Sequence, residues 1–411
     1  MQKSRTGIGA LLALVLVIAT GCWRQDGGDA AHSGFDPAEH HVTAANVGTL
    51  TREWTTRTGN PSTSPVISGS STFAASADGV TAYDVATGTV KWTAMTPDPN
   101  WGAYAFRNLT VGDHGLMVPY GFIAGGGLAT LDQATGAQID NVGGLHQATI
   151  SSNVYRADAS AQVVAAYGSG GPFVVTLQYG DKSSIIACCD FSQPRPTEPS
   201  LVGRFAVVGI GSAVAAYSLD TCAPPPTSGT GCAADWSVDL GSAVATPVGL
   251  DPSRLAVTLA TGDIKVLGAG GAVQWTADVP TTGTTMPAIG KVWMYAGGAD
   301  GKVYAFPKDG CGAATCAPSW SVDAGAGAIS HQPAIGADVV YVGTATGKVV
   351  ALASTCATAS CAPRWTGTID DATAAPVMGI AIESGRIIAT SATAATASSS
   401  ATGTIAAFHL P

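Results

Sequence analysis

The sequence predicts an all-β protein: a single eight-bladed β-propeller of four-stranded antiparallel blades. Three observations predict it. A pattern of about 45 residues recurs through residues 50 to 411, the length of one four-stranded blade. Strands that open on proline recur at the start of these units, and tryptophans recur at their ends. The chain also holds 52 glycines and only 11% charged residues, with much Val, Ala and Thr, a composition that favours strands and turns over helices.

The elements follow in chain order. Lys3 and Arg5 precede an apolar run from Ile8 to Ala19 and then Ala19-Thr20-Gly21-Cys22. A basic start, a short apolar core and small residues at a cut site describe an export signal over residues 1–21. The run is too short for a comfortable transmembrane helix. Its Gly-Cys ending resembles the lipobox of bacterial lipoproteins, which implies that Cys22 is acylated and holds the protein on a membrane surface. Residues 22–34, with WRQDGGDAAHSG after the cysteine, are polar and Gly-rich and read as a flexible tether. Residues 35–411 are then the propeller.

Inside it, residues 72–92 read TFAASADGVTAYDVATGTVKW, residues 292–320 read VWMYAGGADGKVYAFPKDGCGAATCAPSW, and residues 339–365 read VVYVGTATGKVVALASTCATASCAPRW. Each has an alternating strand, a turn at Asp78-Gly79, Asp300-Gly301 or Thr346-Gly347, a second strand, a second turn and a tryptophan. Two hairpins in series give three antiparallel strands. The fourth opens at Ser64-Pro65, Glu198-Pro199, Thr246-Pro247, Met286-Pro287, Gln332-Pro333 or Ala375-Pro376, proline being tolerated where no ladder bond is lost. Blades 2 and 3, opening near Arg107 and Gln147, lack it. Closing tryptophans stand at 54, 92, 236, 275, 320 and 365, with Ile139 and residues 185–188 in place of two more. Trp54 precedes the first complete blade, and the chain ends in the strand-like GTIAAFHLP. The N-terminal strand near residues 51–57 should therefore complete the last blade and close the ring.

Of nine cysteines, Cys22 belongs to the lipobox and eight form close pairs: Cys188/Cys189, Cys222/Cys232, Cys311/Cys316 and Cys356/Cys361. In an exported chain these predict disulfides. Three pairs obey C-x-x-x-W at their second member, so each takes the place of the turn before an outer strand. Spacings in Ala-, Thr- and Gly-rich loops do not suit zinc, and no metal site is predicted.

The repeat [VI]-Y-x-[GA]-x-x-x-G-x-[VL]-x-A-[LY]-D-x-x-T-G-x-x-x-W resembles that of the pyrroloquinoline-quinone (PQQ) propeller superfamily. Its members include quinoprotein dehydrogenases and the propeller lipoprotein of the outer-membrane barrel-assembly machinery. Asn46-Val47-Gly48 with Leu50 and Trp54 resembles the lead-in to the first blade of that superfamily. The resemblance implies the fold and leaves two functions open.

One is a PQQ-dependent dehydrogenase with a channel-bound quinone and calcium. A ring of Cys188 and Cys189 resembles the one beside the cofactor in such enzymes, which also need Glu, Asn and Asp for calcium, an Asp base, an Arg and a Trp platform. Against this stand only four glutamates, Glu39, Glu53, Glu198 and Glu383, and aspartates placed in turns. The other, which the sequence favours, is a non-catalytic binding or scaffolding module that is tethered to a membrane and needs no cofactor. Arg107, Asn108, His146, Gln147, Glu198, His331 and Gln332 sit where inner strands open and are expected to line the channel mouth, where they could hold a small ligand or a peptide end.

The formal charge of −9 becomes −11 once Lys3 and Arg5 leave with the signal. Without clustered cations nucleic acid is excluded as a partner. Expected partners are the membrane through the anchor, and envelope proteins or a channel ligand. The expected state is a monomer on the outer face of the cytoplasmic membrane or on an outer membrane.

Overall fold

The computed structural model describes residues 23–411 apart from 60–62, 97–104, 107, 113–114, 123–124, 147–148, 156–161, 169–172, 180–181, 189–196, 219–232, 246, 357–360 and 394–401. Among these residues the only helix is a single 3-10 turn, Val47–Thr49, and none is long and apolar enough to cross a membrane. All else is strand and turn. The strands form eight sheets, each built on antiparallel neighbours in sequence order.

The first sheet shows the pattern: Val66–Ser68, Ser71–Ser76, Gly79–Asp84 and Val90–Ala94 run as two hairpins in series. The first strands of successive sheets lie side by side. Ser200–Val202 contacts Val248–Asp251, which contacts Ala288–Ile289, then Ala334–Gly336, then Val377–Glu383. Val377–Glu383 contacts Val66–Ser68, which contacts Thr110–Gly112. These first strands therefore surround a common axis with the apolar side chains packed between sheets. Tyr295, Tyr341, Phe73, Phe306 and Phe408 are the largest fully buried side chains there.

The expected closure is present. Thr51–Thr58 pairs antiparallel with Gly403–His409, from Thr51 opposite His409 to Thr58 opposite Gly403. It supplies the fourth strand to the sheet of Val377–Glu383, Arg386–Ala392 and Gly403–His409. Trp365 of the preceding sheet donates its indole N–H to the Leu50 carbonyl at 2.9 Å and meets Phe408 edge-on at 5.0 Å.

The D-x-x-T-G turns explain why the tryptophans recur. Asp84 Oδ1 accepts from the backbone N–H groups of Ala86 and Thr87 and from the Thr87 hydroxyl, each at 3.1 Å. Asp132 repeats this with Ala134 and Thr135. The glycine ending each turn is left-handed, φ +68° at Gly88 and +74° at Gly136, and a tryptophan of the preceding sheet lies on it. A Cβ on Gly88 would stand 2.5 Å from Trp54, and one on Gly136 would stand 2.6 Å from Trp92. The same tryptophans donate to the Val85 and Gln133 carbonyls at 3.1 and 3.0 Å. Gly88→Ala combines a left-handed alanine with that overlap and is expected to lower the unfolding free energy by about 1–2 kcal/mol or more. An unchanged urea midpoint would contradict the docking.

Two cysteine bridges are seen, Cys311–Cys316 and Cys356–Cys361, each with Cα atoms 5.8 Å apart. They lie in the loops before Trp320–Asp323 and Trp365–Thr368. The first also carries Thr315–Cys316 sideways to pair parallel with Val273–Ala277 of the neighbouring sheet. Replacing Cys311 and Cys316 together by serine is expected to cost about 2 kcal/mol on the chain-entropy account of small loops. A fluorescence-monitored denaturation curve checks it. Cys189, Cys222 and Cys232 lie outside the described residues, as does the side chain of Cys188.

One expectation is corrected. Residues 23–34 do not form a free tether: Trp23, Gln25, Asp26 and His32 are buried, and Phe35–Asp36 pairs parallel with Ala334–Gly336. The composition suits a linker, but the inner strands present unpaired N–H groups toward the axis, and this segment satisfies them.

Candidate functional site

At the axis the first strand of a sheet has no neighbour from its own hairpins on the inner side, so its N–H groups on that side need acceptors. The N-terminal segment supplies them in order. The second residue of six inner strands donates to it: Ile67 to the Trp23 carbonyl, Val111 to Arg24, Leu201 to Ala30, Gly249 to Ala31, Ile289 to Ser33 and Ile335 to Gly34, all at 2.6 to 2.8 Å. Farther along, Glu39 accepts from the backbone N–H groups of His41, Val42 and Gly385, the last in the eighth sheet. Residues 23–39 are thus a strap wound around one mouth of the axis.

Between Arg24 and Gly28 the strap turns inward as a tight hairpin. Arg24 N donates to the Gly28 carbonyl at 3.1 Å and Gly28 N to that of Gln25 at 2.9 Å. Gly27 and Gly28, at φ +72° and +86°, make the reversal possible. Asp26 at the tip is 5% exposed. Its Oδ1 lies 3.2 Å from His331 Nε2, and Asn108 Nδ2 donates to its Oδ2 at 3.0 Å and to Glu198 Oε1 at 3.2 Å. The Ser64 hydroxyl is 3.3 Å from His331 Nε2 and donates to the Met378 carbonyl at 3.1 Å. His32 donates from Nδ1 to the Asp26 carbonyl at 2.8 Å, which braces the hairpin. Gln332 Nε2 donates to the carbonyls of His32 and Pro287 at 2.7 and 2.8 Å.

The electrostatics follow from this geometry. Burial alone would push the Asp26 carboxyl up, but the His331 charge, the hydrogen bonds from His331 and Ser64 and the charge of His32 outweigh it and hold the group at about 2. Burial disfavours the His331 cation, yet the Asp26 charge and hydrogen bond carry its pKa above the ordinary imidazole value, with Glu198 adding to the effect. Asp26 and His331 are a buried ion pair joining the strap to the seventh sheet.

Of the residues expected at the mouth, Asn108 bonds to Asp26 and Glu198, His331 pairs with Asp26, and Gln332 bonds to the His32 and Pro287 carbonyls. Asn108, His331 and Gln332 turn to the strap. Arg107 and Gln147 lie outside the described residues. His146 ends Gln138–His146, paired with Gly125, three residues before Thr149–Tyr155, the first strand of the third sheet, and its side chain lies outside the described residues. Asp26 and His32 were not foreseen. The signal that could have found them is Asp-Gly-Gly, a tight-turn tripeptide, three residues after a tryptophan that a free linker has no use for.

Two grooves border the strap, on either side of Lys291. One of about 410 Å³ includes Asp29, Ser33 and Leu201, and one of about 480 Å³ includes Phe35, His40 and Trp293.

On the axis the described carboxylates are engaged with other side chains. Asp26, Asn108 and Glu198 resemble a calcium set by type, but the Asn108 amide donates to both carboxylates and Asp26 is already paired with His331. No cluster of three or more His, Cys, Asp or Glu arranged for a metal occurs among the described residues.

Comparison with known proteins agrees with this architecture. The profile of the family described as outer membrane protein assembly factor BamB matches residues 36–218 and 229–406. No curated protein sequence matches the chain. Among solved structures, a quinohemoprotein alcohol dehydrogenase from Comamonas testosteroni is similar at 14% identity and a TM-score of 0.64, over 95% of this chain and 80% of that one. A quinohemoprotein alcohol dehydrogenase from Pseudomonas putida HK5 is similar at 11% identity and 0.65, with the same coverage. BamB from Moraxella catarrhalis is similar at 16% identity and 0.59, over 88% of this chain and 97% of that one. At these identities the likeness is one of fold.

Proposed function

Because the chain belongs to the family of the outer membrane protein assembly factor BamB, a PQQ-repeat propeller family, we propose that it is a non-catalytic scaffold of the cell envelope. In this reading residues 1–21 are an export signal, Cys22 carries the lipid anchor, and the folded body begins at Trp23 as a ring of eight blades. The observation that carries it is the strap. In this reading the strap occupies the axial mouth, where a small molecule would otherwise bind, and Asp26 engages His331 and Asn108 there. What remains for recognition are the rims and turns, which suit extended segments of other envelope proteins. The relative's printed role, assembly of outer membrane proteins, applies here where the cell has an outer membrane.

The dehydrogenase alternative requires the strap to leave the mouth. Cross-linking in cells followed by purification of the full chain tests the scaffold: reproducible enrichment of one or a few envelope proteins is expected, and no enrichment over an unrelated lipoprotein would overturn it. Uptake of PQQ in the presence of calcium, with reduction of an artificial electron acceptor on adding alcohols, would establish the alternative.

A further inference from the structure

We infer that the face carrying the strap lies directly against the phospholipid bilayer, an orientation that rests on acylation of Cys22 as proposed above. The argument is one of chain length. A lipoprotein usually reaches its membrane through a linker, and a free linker leaves the orientation of the body undetermined. In this chain the residue after Cys22 is already part of the fold. Trp23 is 3% exposed and belongs to the buried cluster that includes Val42, Ile67 and Tyr83, and its carbonyl accepts from Ile67 N at 2.8 Å. Arg24 is held in the same way by Val111 at 2.6 Å.

Adjacent Cα atoms are about 3.8 Å apart, so the acyl chains leave the protein within one residue of the strap. The strap crosses the inner strands just before their first turns, and the turns on that side include Gly69-Ser70, Gly290-Lys291-Val292 and Ala337-Asp338. These must face the lipid. At the tip of one of them Val292 is 63% exposed beside Lys291, an aliphatic side chain next to a cation, which suits the interfacial region of a bilayer. The turns at the opposite end, at Asp78, Thr261 and Asp300, are then the rim left for protein partners.

The experiment uses the full-length acylated protein added to preformed vesicles of phosphatidylethanolamine and phosphatidylglycerol. Val292→Cys and Thr261→Cys are labelled with a membrane-impermeant maleimide and read against the parent chain. The expected result is labelling at 292 slowed at least about tenfold relative to the unanchored Cys22→Ala protein, and labelling at 261 unchanged. Inserting a Gly/Ser linker of about 20 residues between Cys22 and Trp23 should restore fast labelling at 292 while keeping the protein on the vesicle. Equal labelling at both sites, with acylation confirmed by mass, would overturn the orientation and leave the anchor intact. An absent acyl mass would overturn the anchor and the orientation with it.

Discussion

Replacing Asp26 with alanine is expected to destabilise the protein by about 3 kcal/mol at pH 6, because breaking a buried ion pair leaves one partner without compensation. Asp26 is held near 2 by His331 and Ser64, and its loss also removes one of the two carboxylate acceptors of Asn108 Nδ2. Asp26→Asn keeps the shape and should cost less, since His331 can lose its proton. The first consequence should be release of the strap, seen as proteolysis near residues 24–34 while the sheets stay intact.

The pH dependence has two edges. The Asp26 contribution is present above its ordinary value of 3.8 and lost as pH falls through about 2. The His331 pKa is raised, so its contribution is complete below the ordinary 6.5 and lost as pH rises through the folded value. Glu198 and His32 are the other titratable groups that face the pair. Strap docking should therefore be tightest between about pH 4 and 6.5 and weaken in alkali. Equal protease resistance of the strap at pH 6 and pH 9, in wild type and Asp26→Asn alike, would refute the role of the pair.

Trp54→Ala is expected to cost about 3–5 kcal/mol, the range for truncating a large buried aromatic. Its ring is 9% exposed, lies on Gly88 and donates to Val85 at 3.1 Å. Trp54 belongs to the strand that completes the last sheet, and Gly88 belongs to the first, so this side chain lies at the seam of the ring. Trp54→Phe keeps most of the apolar contact and loses one hydrogen bond, for about 1 kcal/mol. A urea titration separates the two variants. If Trp54→Ala and Trp54→Phe had the same midpoint, the seam would not depend on the buried ring.

The repeated sheets were legible in the sequence because their causes are local. Asp84 and Thr87 bond within their own turn, Gly88 and Gly136 take a left-handed φ that few other residues accept, proline marks strand starts, and Trp54 stands out of sequence as the missing fourth strand. The stapled loops at Cys311–Cys316 and Cys356–Cys361 were legible for the same reason, five residues being within reach of one bridge. The strap was not. Its acceptor carbonyls belong to residues 23–34, and its donors are Ile67, Val111, Leu201, Gly249, Ile289 and Ile335, which come together only when the sheets surround an axis. Locally WRQDGGDAAHSG has the composition of a linker, because its stability comes from backbone groups of distant strands and from one side-chain pair, Asp26 with His331, 305 positions apart. The β-class and the repeat follow from short-range geometry, and the closure from the tryptophan left over at position 54. Docking of the polar N-terminus on the inner strands depends instead on long-range hydrogen bonds and a buried charge whose partner no local pattern reveals.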